Sequence, residues 1–172
     1  MQNNMVDNAS PVANKEPASN SEVSLRPARR ADEATIERWL EEPGGKQLGR
    51  AMGAEEMLRY YGGDRSQKHA LMITYRREAV GFIMVEHLSF SEDRKLNGDF
   101  FLVQRAFRGR GVGAQALRCL LDLDEWGKAF IARAWIRSDN AGSKRFFMRY
   151  GFKRVRVDEQ VQYICDSSKA IN

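Results

Sequence analysis

Cysteine is scarce in this sequence, with two among 172 residues. Cys119 and Cys165 offer neither a disulfide framework nor zinc-ligand spacing, so no metal site is expected. Both read as small buried hydrophobes of a protein in a reducing cytoplasm. Long hydrophobic runs are missing as well. No apolar stretch approaches the roughly 20 residues that cross a bilayer, so no membrane partner is expected. Met1 to Ser10 has no basic start and no apolar run, unlike a secretory signal, and a cytoplasmic location is expected. Charge of one sign is in only moderate excess, at +5. The first 22 residues hold one Lys against Asp7, Glu16 and Glu22, a net of −2 that leaves +7 for the other 150. Such a balance favours an anionic ligand without implying nucleic acid.

What is present suits one globular domain: 42% hydrophobic, 10% aromatic and 30% charged residues over a length that can bury a core. Residues 1–22 are rich in Asn, Ser, Ala and Pro and read as a disordered tail, with the fold in 23–172. Val23 to Pro27 reads as a strand. Asp32 is placed to cap a helix carrying Ile36, Trp39 and Leu40 at helical spacing. Pro43-Gly44-Gly45 should stop it, and a second helix is expected over Ala54 to Tyr61, closed by Gly62-Gly63. His69 to Tyr75 and Ala79 to Phe90 form a hairpin about Arg76-Arg77-Glu78. Ser91 to Asn97 is polar and reads as a loop, and Gly98 to Val103 as the next strand. A helix follows over about Gly111 to Asp124, then a strand over Phe130 to Ile136. Asn140 to Tyr150 is helical, capped by Asp139 or Ser138 and ended by Gly151. Phe152 to Val157 and Gln160 to Cys165 form a last hairpin. Trp39, Trp126 and Trp135 read as core or pocket walls. The order is β-α-α-β-β-β-α-β-α-β-β.

The densest signal is Phe107-Arg108-Gly109-Arg110-Gly111-Val112-Gly113-Ala114, between a strand and a helix. Three glycines in five residues admit a ligand close to the backbone. The free N–H groups of the helix start carry partial positive charge, and Arg108 and Arg110 flank them, which together make a pyrophosphate socket. No lysine follows Gly113, so this is not a P-loop. Gly109, Gly111 and Ala114 match the letters of a dinucleotide fingerprint, and Arg137 lies where a 2′-phosphate partner would. Three strands without crossover helices precede the turn, however, which a dinucleotide fold does not have.

A second motif, Asn140-Ala141-Gly142-Ser143-Lys144-Arg145-Phe146-Phe147-Met148-Arg149-Tyr150-Gly151-Phe152, lies some thirty residues further on. With both motifs in order the chain resembles the GNAT acetyltransferase superfamily over about residues 23 to 165. Arg108, Gly111 and Gly113 meet its first signature; Asn140, Phe146, Arg149, Gly151 and Phe152 meet its second, with Ser143 in place of Ala. The resemblance implies an α/β (α+β) fold with a mixed, mainly antiparallel sheet that opens between two strands. Acetyl-CoA would lie in that gap as co-substrate. Its pantetheine arm would pair with the backbone of Phe101, Leu102 and Val103. Its pyrophosphate would sit on the N–H groups of Arg108, Gly109, Arg110, Gly111, Val112, Gly113 and Ala114, with Asn140, Ser143 and Phe147 alongside. The partner would be an amine-bearing acceptor, and dimers are common in such families.

Acetyl transfer needs a base for the amine, stabilisation of the thioester oxygen and a proton for the leaving thiolate. The family often uses a Tyr for the last role, where this chain has Phe147. Tyr150, one turn on, is the nearest phenol, and the same residue also reads as helix-end packing. Asp99, an acid inside a strand, is the candidate base and equally reads as a strand-end acid paired with an Arg; Glu86 and His87 are alternatives. Asn140 reads as a cofactor contact or as a helix cap. No cysteine occupies a motif position, so direct attack in a ternary complex is expected. The absent Tyr also leaves open a module that binds acyl-CoA without transfer.

Overall fold

The computed structural model describes residues 22–46, 52–62, 67–90, 93–123, 131–137, 139–157 and 160–166. Residues 1–21 of the expected tail, together with Gly63, Trp126 and Ser138, lie outside the described residues. Glu22, read as tail, is fixed to the fold by its ion pair with Arg76, whose Nε donates to Glu22 Oε1 over 2.8 Å.

Strand β1 (Val23–Pro27) leads through a 3-10 turn to α1 (Glu33–Glu41). Asp32 makes no cap bond to α1. Its carboxylate instead accepts from the Arg29 backbone N–H and from both terminal nitrogens of Arg26, at 2.7–2.8 Å. The Pro-Gly-Gly segment does end α1, but then starts a single turn, α2 (Pro43–Lys46), as proline at a first helical position permits. Helix α3 (Ala54–Tyr61) closes on Gly62 in right-handed conformation, with Gly62 N–H donating to Leu58.

Strands β2 (Lys68–Tyr75) and β3 (Glu78–Phe90) meet at a two-residue turn in which Arg76 and Arg77 take φ of 50° and 71°. Strand β4 (Asp93–Val103) begins well before its expected start. Lys95 to Gly98 pair with β3 on one side and with β5 (Ile131–Ile136) on the other, and Leu96 is buried. Pairing on both edges overrides the polar, loop-like composition. Of the expected loop 91–97, only residues 91–92 lie outside the described residues. Helix α4 (Val112–Leu121) precedes β5. Helix α5 (Ala141–Arg149), β6 (Lys153–Val157) and β7 (Gln160–Asp166) come after it. Asn140, not Asp139, caps α5: its Oδ1 accepts from Ser143 N–H at 3.0 Å.

The sheet runs β1-β2-β3-β4-β5-β7-β6, antiparallel except for the β4–β5 pair. Its two faces carry separate cores. On one, Ile36, Trp39 and Leu40 of α1 and Met57 and Tyr61 of α3 pack on Met72, Phe82, Met84, Phe100 and Leu102. On the other, Val112, Ala116, Leu117 and Leu120 of α4 and Phe147 of α5 pack on Ile73, Ile83, Val85, Leu96, Ala132 and Ala134. Cys119 is only partly buried, its Sγ 3.8 Å from the Val23 carbonyl. Its place at the margin of α4's apolar stripe explains why it falls short of the expected burial. Trp39 is core, whereas Trp135 is 42% exposed.

Two features of β4 open the sheet. Met84 pairs with Phe100 and Val85 with Gly98, so Asp99 is an extra residue, a β-bulge. The parallel pairing with β5 also stops there, with Gly98 opposite Ala134 as its last rung. Trp135 and Ile136 remain paired to β7 while Phe100 to Val103 remain paired to β3, so the sheet parts into a V.

L-residues at positive φ cost about 1–2 kcal/mol each. Arg77→Gly should therefore stabilise the β2–β3 turn by about 0.5–1 kcal/mol after the added unfolded-state entropy. Urea unfolding would show a higher midpoint at unchanged slope; a lower midpoint would contradict the turn geometry.

Candidate active site

The V is bounded by backbone whose hydrogen-bonding groups pair with no neighbouring strand. Gln104 N–H donates to Val80 at 2.8 Å, and the Leu102 carbonyl lies against Gly81, so both face β3. Alternation along the strand then turns the N–H and C=O of Phe101 and Val103 into the gap that β5 has left. The Val103 carbonyl accepts from Arg108 Nε at 2.8 Å, which folds Arg108 back against the strand and presents the rest of its guanidinium to the opening.

Beyond the strand end the chain turns through Gly109 and Gly111, at φ of +72° and +80°. A Cβ at Gly109 would meet nothing within 4 Å, and at Gly111 only Gln115 Nε2 at 3.9 Å, so the backbone conformation rather than crowding calls for glycine here. Gly111 is the N-cap of α4, and no side chain caps that end. The first bond of the helix runs from Gln115 N–H to Gly111, leaving the N–H groups of Val112, Gly113 and Ala114 without helical acceptors. Gly113 is favoured for a different reason: a Cβ there would stand 3.3 Å from the Phe146 ring, which would have to shift by a few tenths of an ångström.

These parts enclose a cleft of about 700 Å³ lined by Phe101, Leu102, Val103, Arg108, Gly109, Gly111, Gly113 and Ala114 on one side. Asn140, Ser143, Phe147 and Tyr150 face them, with Asp139, Ala141, Gly142, Phe146 and Arg149 completing the wall. Phe147 is held by edge contacts to Phe101, Phe146 and Phe152 at centroid distances of 5.0–6.2 Å, and Tyr150 packs on Phe146 at 5.0 Å. The cleft runs into a smaller cavity of about 80 Å³ between β4 and β5, which shares Phe101, Asn140, Ser143 and Phe147 with it and reaches Asp99.

Asp99 is exposed as a residue, but its Oδ2 is drawn to buried Tyr61, whose hydroxyl donates to it over 2.6 Å. The bulge aims it there. Glu86 lies nearby in an ion pair with Lys68 at 3.6 Å, and the Lys68 ammonium sits 3.4 Å above the Tyr60 ring. Loss of solvation pushes the Asp99 carboxyl above its ordinary value, Tyr61 opposing and the Glu86 charge adding to the rise. Loss of solvation, followed by the bond to Asp99, likewise pushes the Tyr61 phenol up.

The acetyltransferase (GNAT) family model matches residues 33–152, the span that holds the V, both motifs and Asp99. The chain belongs to the GNAT acetyltransferase family. Solved structures agree on the fold. An acetyltransferase from Thermus thermophilus superposes with a TM-score of 0.67 at 24% identity, covering 84% of this chain and 96% of that one. The aminoglycoside N(6′)acetyltransferase of Legionella pneumophila gives 0.69 at 10% identity over 87% and 95%. NAA60 of Arabidopsis thaliana, solved with a bisubstrate analogue, gives 0.66 at 12% over 84% and 97%. No protein of curated function matches by sequence. Among the described residues, no helix is long and apolar enough to cross a membrane.

Not every residue that the GNAT resemblance singled out lines the cleft. Arg110 stands apart, its guanidinium 5.8 Å from the Phe107 ring, and the Val112 side chain is core, which leaves only its backbone at the site. Tyr61 was not legible as a partner of Asp99; 38 residues separate them in sequence. Phe146 and Arg149, both within the second motif, also line the cleft.

The raised Asp99 carboxyl makes stability depend on pH. A carboxyl raised in the folded state is favoured there in its neutral form. Its contribution is therefore fully present below the unfolded value near 3.8 and is lost as pH rises through the folded value. Asp99→Asn keeps an acceptor for Tyr61 and removes the desolvated charge. Its melting temperature should exceed that of the native chain at pH 7, with the difference vanishing towards pH 4; a lower value at pH 7 would refute the assignment.

Proposed function

We propose that this chain is an N-acetyltransferase that moves the acetyl group of acetyl-CoA to an amine by direct attack in a ternary complex. The observation that carries the reading is the opening between β4 and β5 beside the uncapped start of α4. An extended, amide-bearing arm can pair with Phe101 and Val103 as a strand would, while phosphates meet the N–H groups of Val112, Gly113 and Ala114 and the guanidinium of Arg108. Acetyl-CoA supplies the activated acyl group and a thiolate leaving group.

The remaining roles fall to side chains. Asp99, with Tyr61 steadying it, takes the proton of the incoming ammonium; its raised affinity for protons makes it a stronger base than an ordinary carboxylate. The Phe101 N–H, the nearer of the two to Asp99 along β4, is the candidate donor to an oxygen that gains negative charge, with the Val103 N–H left to the arm. Tyr150 holds the phenol nearest the cleft and is the candidate donor to the thiolate. Phe147, which has no hydroxyl, excludes water from the gap. That same absence favours a second reading, an acyl-CoA-binding module without transfer.

Two experiments test these assignments. Gly111→Asp sets a side chain at φ +80° and a carboxylate in the anion socket. It should weaken acetyl-CoA binding by about 100-fold, from the combined loss of charge-assisted bonds, as read by calorimetry, with NADPH as the negative control. Unchanged affinity would remove the socket from the site. Asp99→Asn should lower turnover by about 10²–10⁴-fold and abolish an acid limb of kcat/KM that lies above pH 3.8. If no member of an amine panel releases CoA from a protein that binds acetyl-CoA, the module reading stands.

A further inference from the structure

Four polar residues stand side by side across the middle of the sheet. Lys68 on β2 pairs in register with Glu86 on β3, Glu86 with Asn97 on β4, and Asn97 with Arg133 on β5. All four project to the α1–α3 face, because Leu96, Ala132 and Ala134, their neighbours along the strands, belong to the opposite core. Lys68 and Glu86 neutralise one another. Asn97 and Arg133 do not: Asn97 Oδ1 and Arg133 Nε are both buried and have no hydrogen-bond partner among the described residues. Three other arginines have carboxylate partners, Arg26 in Asp32, Arg76 in Glu22 and Arg137 in Asp139.

A buried guanidinium N–H and a buried amide oxygen on one rung are costly unless something satisfies them. Their position says what that is. Arg133 and Asp99 both border the narrow cavity between β4 and β5, whose remaining walls come mostly from the α4 face of the sheet. Asp99 lies two residues further along β4 than Asn97, and exposed Trp135 two residues further along β5 than Arg133, so both flank the mouth of the V on this face. Once Lys68 and Glu86 are paired, one carboxylate and one guanidinium are left for the acceptor. They are one strand apart and two residues apart along the sheet, roughly 8 Å between backbones from strand spacing and rise.

We propose that the acceptor is a free amino acid, with its ammonium directed to Asp99 and Asn97 Oδ1 and its carboxylate to Arg133. This rests on the transferase reading above and narrows it. The donors and acceptors match: an ammonium brings N–H groups for two oxygens, and a carboxylate brings the acceptor that Arg133 Nε lacks. A simple amine or a polycation would place positive charge beside an unpaired guanidinium and leave its N–H unsatisfied.

The test compares each of the twenty protein amino acids with its own carboxamide, by CoA release and by calorimetric binding to the protein saturated with CoA, which cannot turn over. At least one acid should exceed its carboxamide by about tenfold or more in kcat/KM and in affinity, the loss expected when a charged hydrogen bond goes. Arg133→Met should erase that ratio and Arg133→Lys should keep part of it, both retaining acetyl-CoA affinity as proof of folding. Arg133→Gln, which keeps an amide donor without charge, serves should Arg133→Met fail to fold. Carboxamides equal to the acids, no acid accepted while other amines are, or a ratio that survives Arg133→Met would each overturn the proposal. Failure of the unsubstituted protein to bind acetyl-CoA would instead overturn the transferase reading itself.

Discussion

One inserted residue organises this molecule. Without the bulge at Asp99, β4 would keep a single alternation from Leu96 onward, and Phe100 and Leu102 would face α4 instead of α1 and α3. The insertion reverses the pattern, so one strand supplies apolar residues to both cores in turn. It also ends the parallel pairing with β5 at Gly98. A carboxylate inside a strand, a change of face and an open seam are three results of the same local event, and the candidate chemistry sits where they coincide.

The seam gains its use from what lies at its wide end. Helix α4 could have been capped by a Ser, Thr, Asp or Asn side chain, as Asn140 caps α5. Left-handed Gly111 offers no side chain, and the N–H groups stay free. The two helices of this face therefore treat their N-termini in opposite ways: one satisfied by its own sequence, the other held open beside a 700 Å³ cleft.

Much of this was legible in the sequence because it rests on local patterns. The glycine turn, the periodic helices and the Asn140–Phe152 motif each lie within a dozen or so residues, and the family followed from their order. What escaped depends on partners distant along the chain. Lys95 and Asn97 are polar and read as loop, yet two neighbouring strands hold them in the sheet. The bulge is visible only against the register of β3. Asp99 stood out as an acid in a strand, but its bond to Tyr61 and the polar row from Lys68 to Arg133 exist only once the sheet is assembled. Near a helix start, Asp139 and Asn140 are equivalent by composition, and geometry chose the second.

The four-rung β4–β5 ladder has a consequence for how the molecule breathes. Four residue pairs are all the parallel ladder between β1–β4 and the β5-β7-β6 group, whereas the β3–β4 hairpin joins its strands over ten. Sub-global opening should follow the weakest line in the sheet. Amide protons along that rung set would then exchange by parting of the two halves, well before the meander itself comes apart. A molecule bound across the V contacts both halves at once, so it acts on the protein as a clasp whose grip is felt along the whole seam.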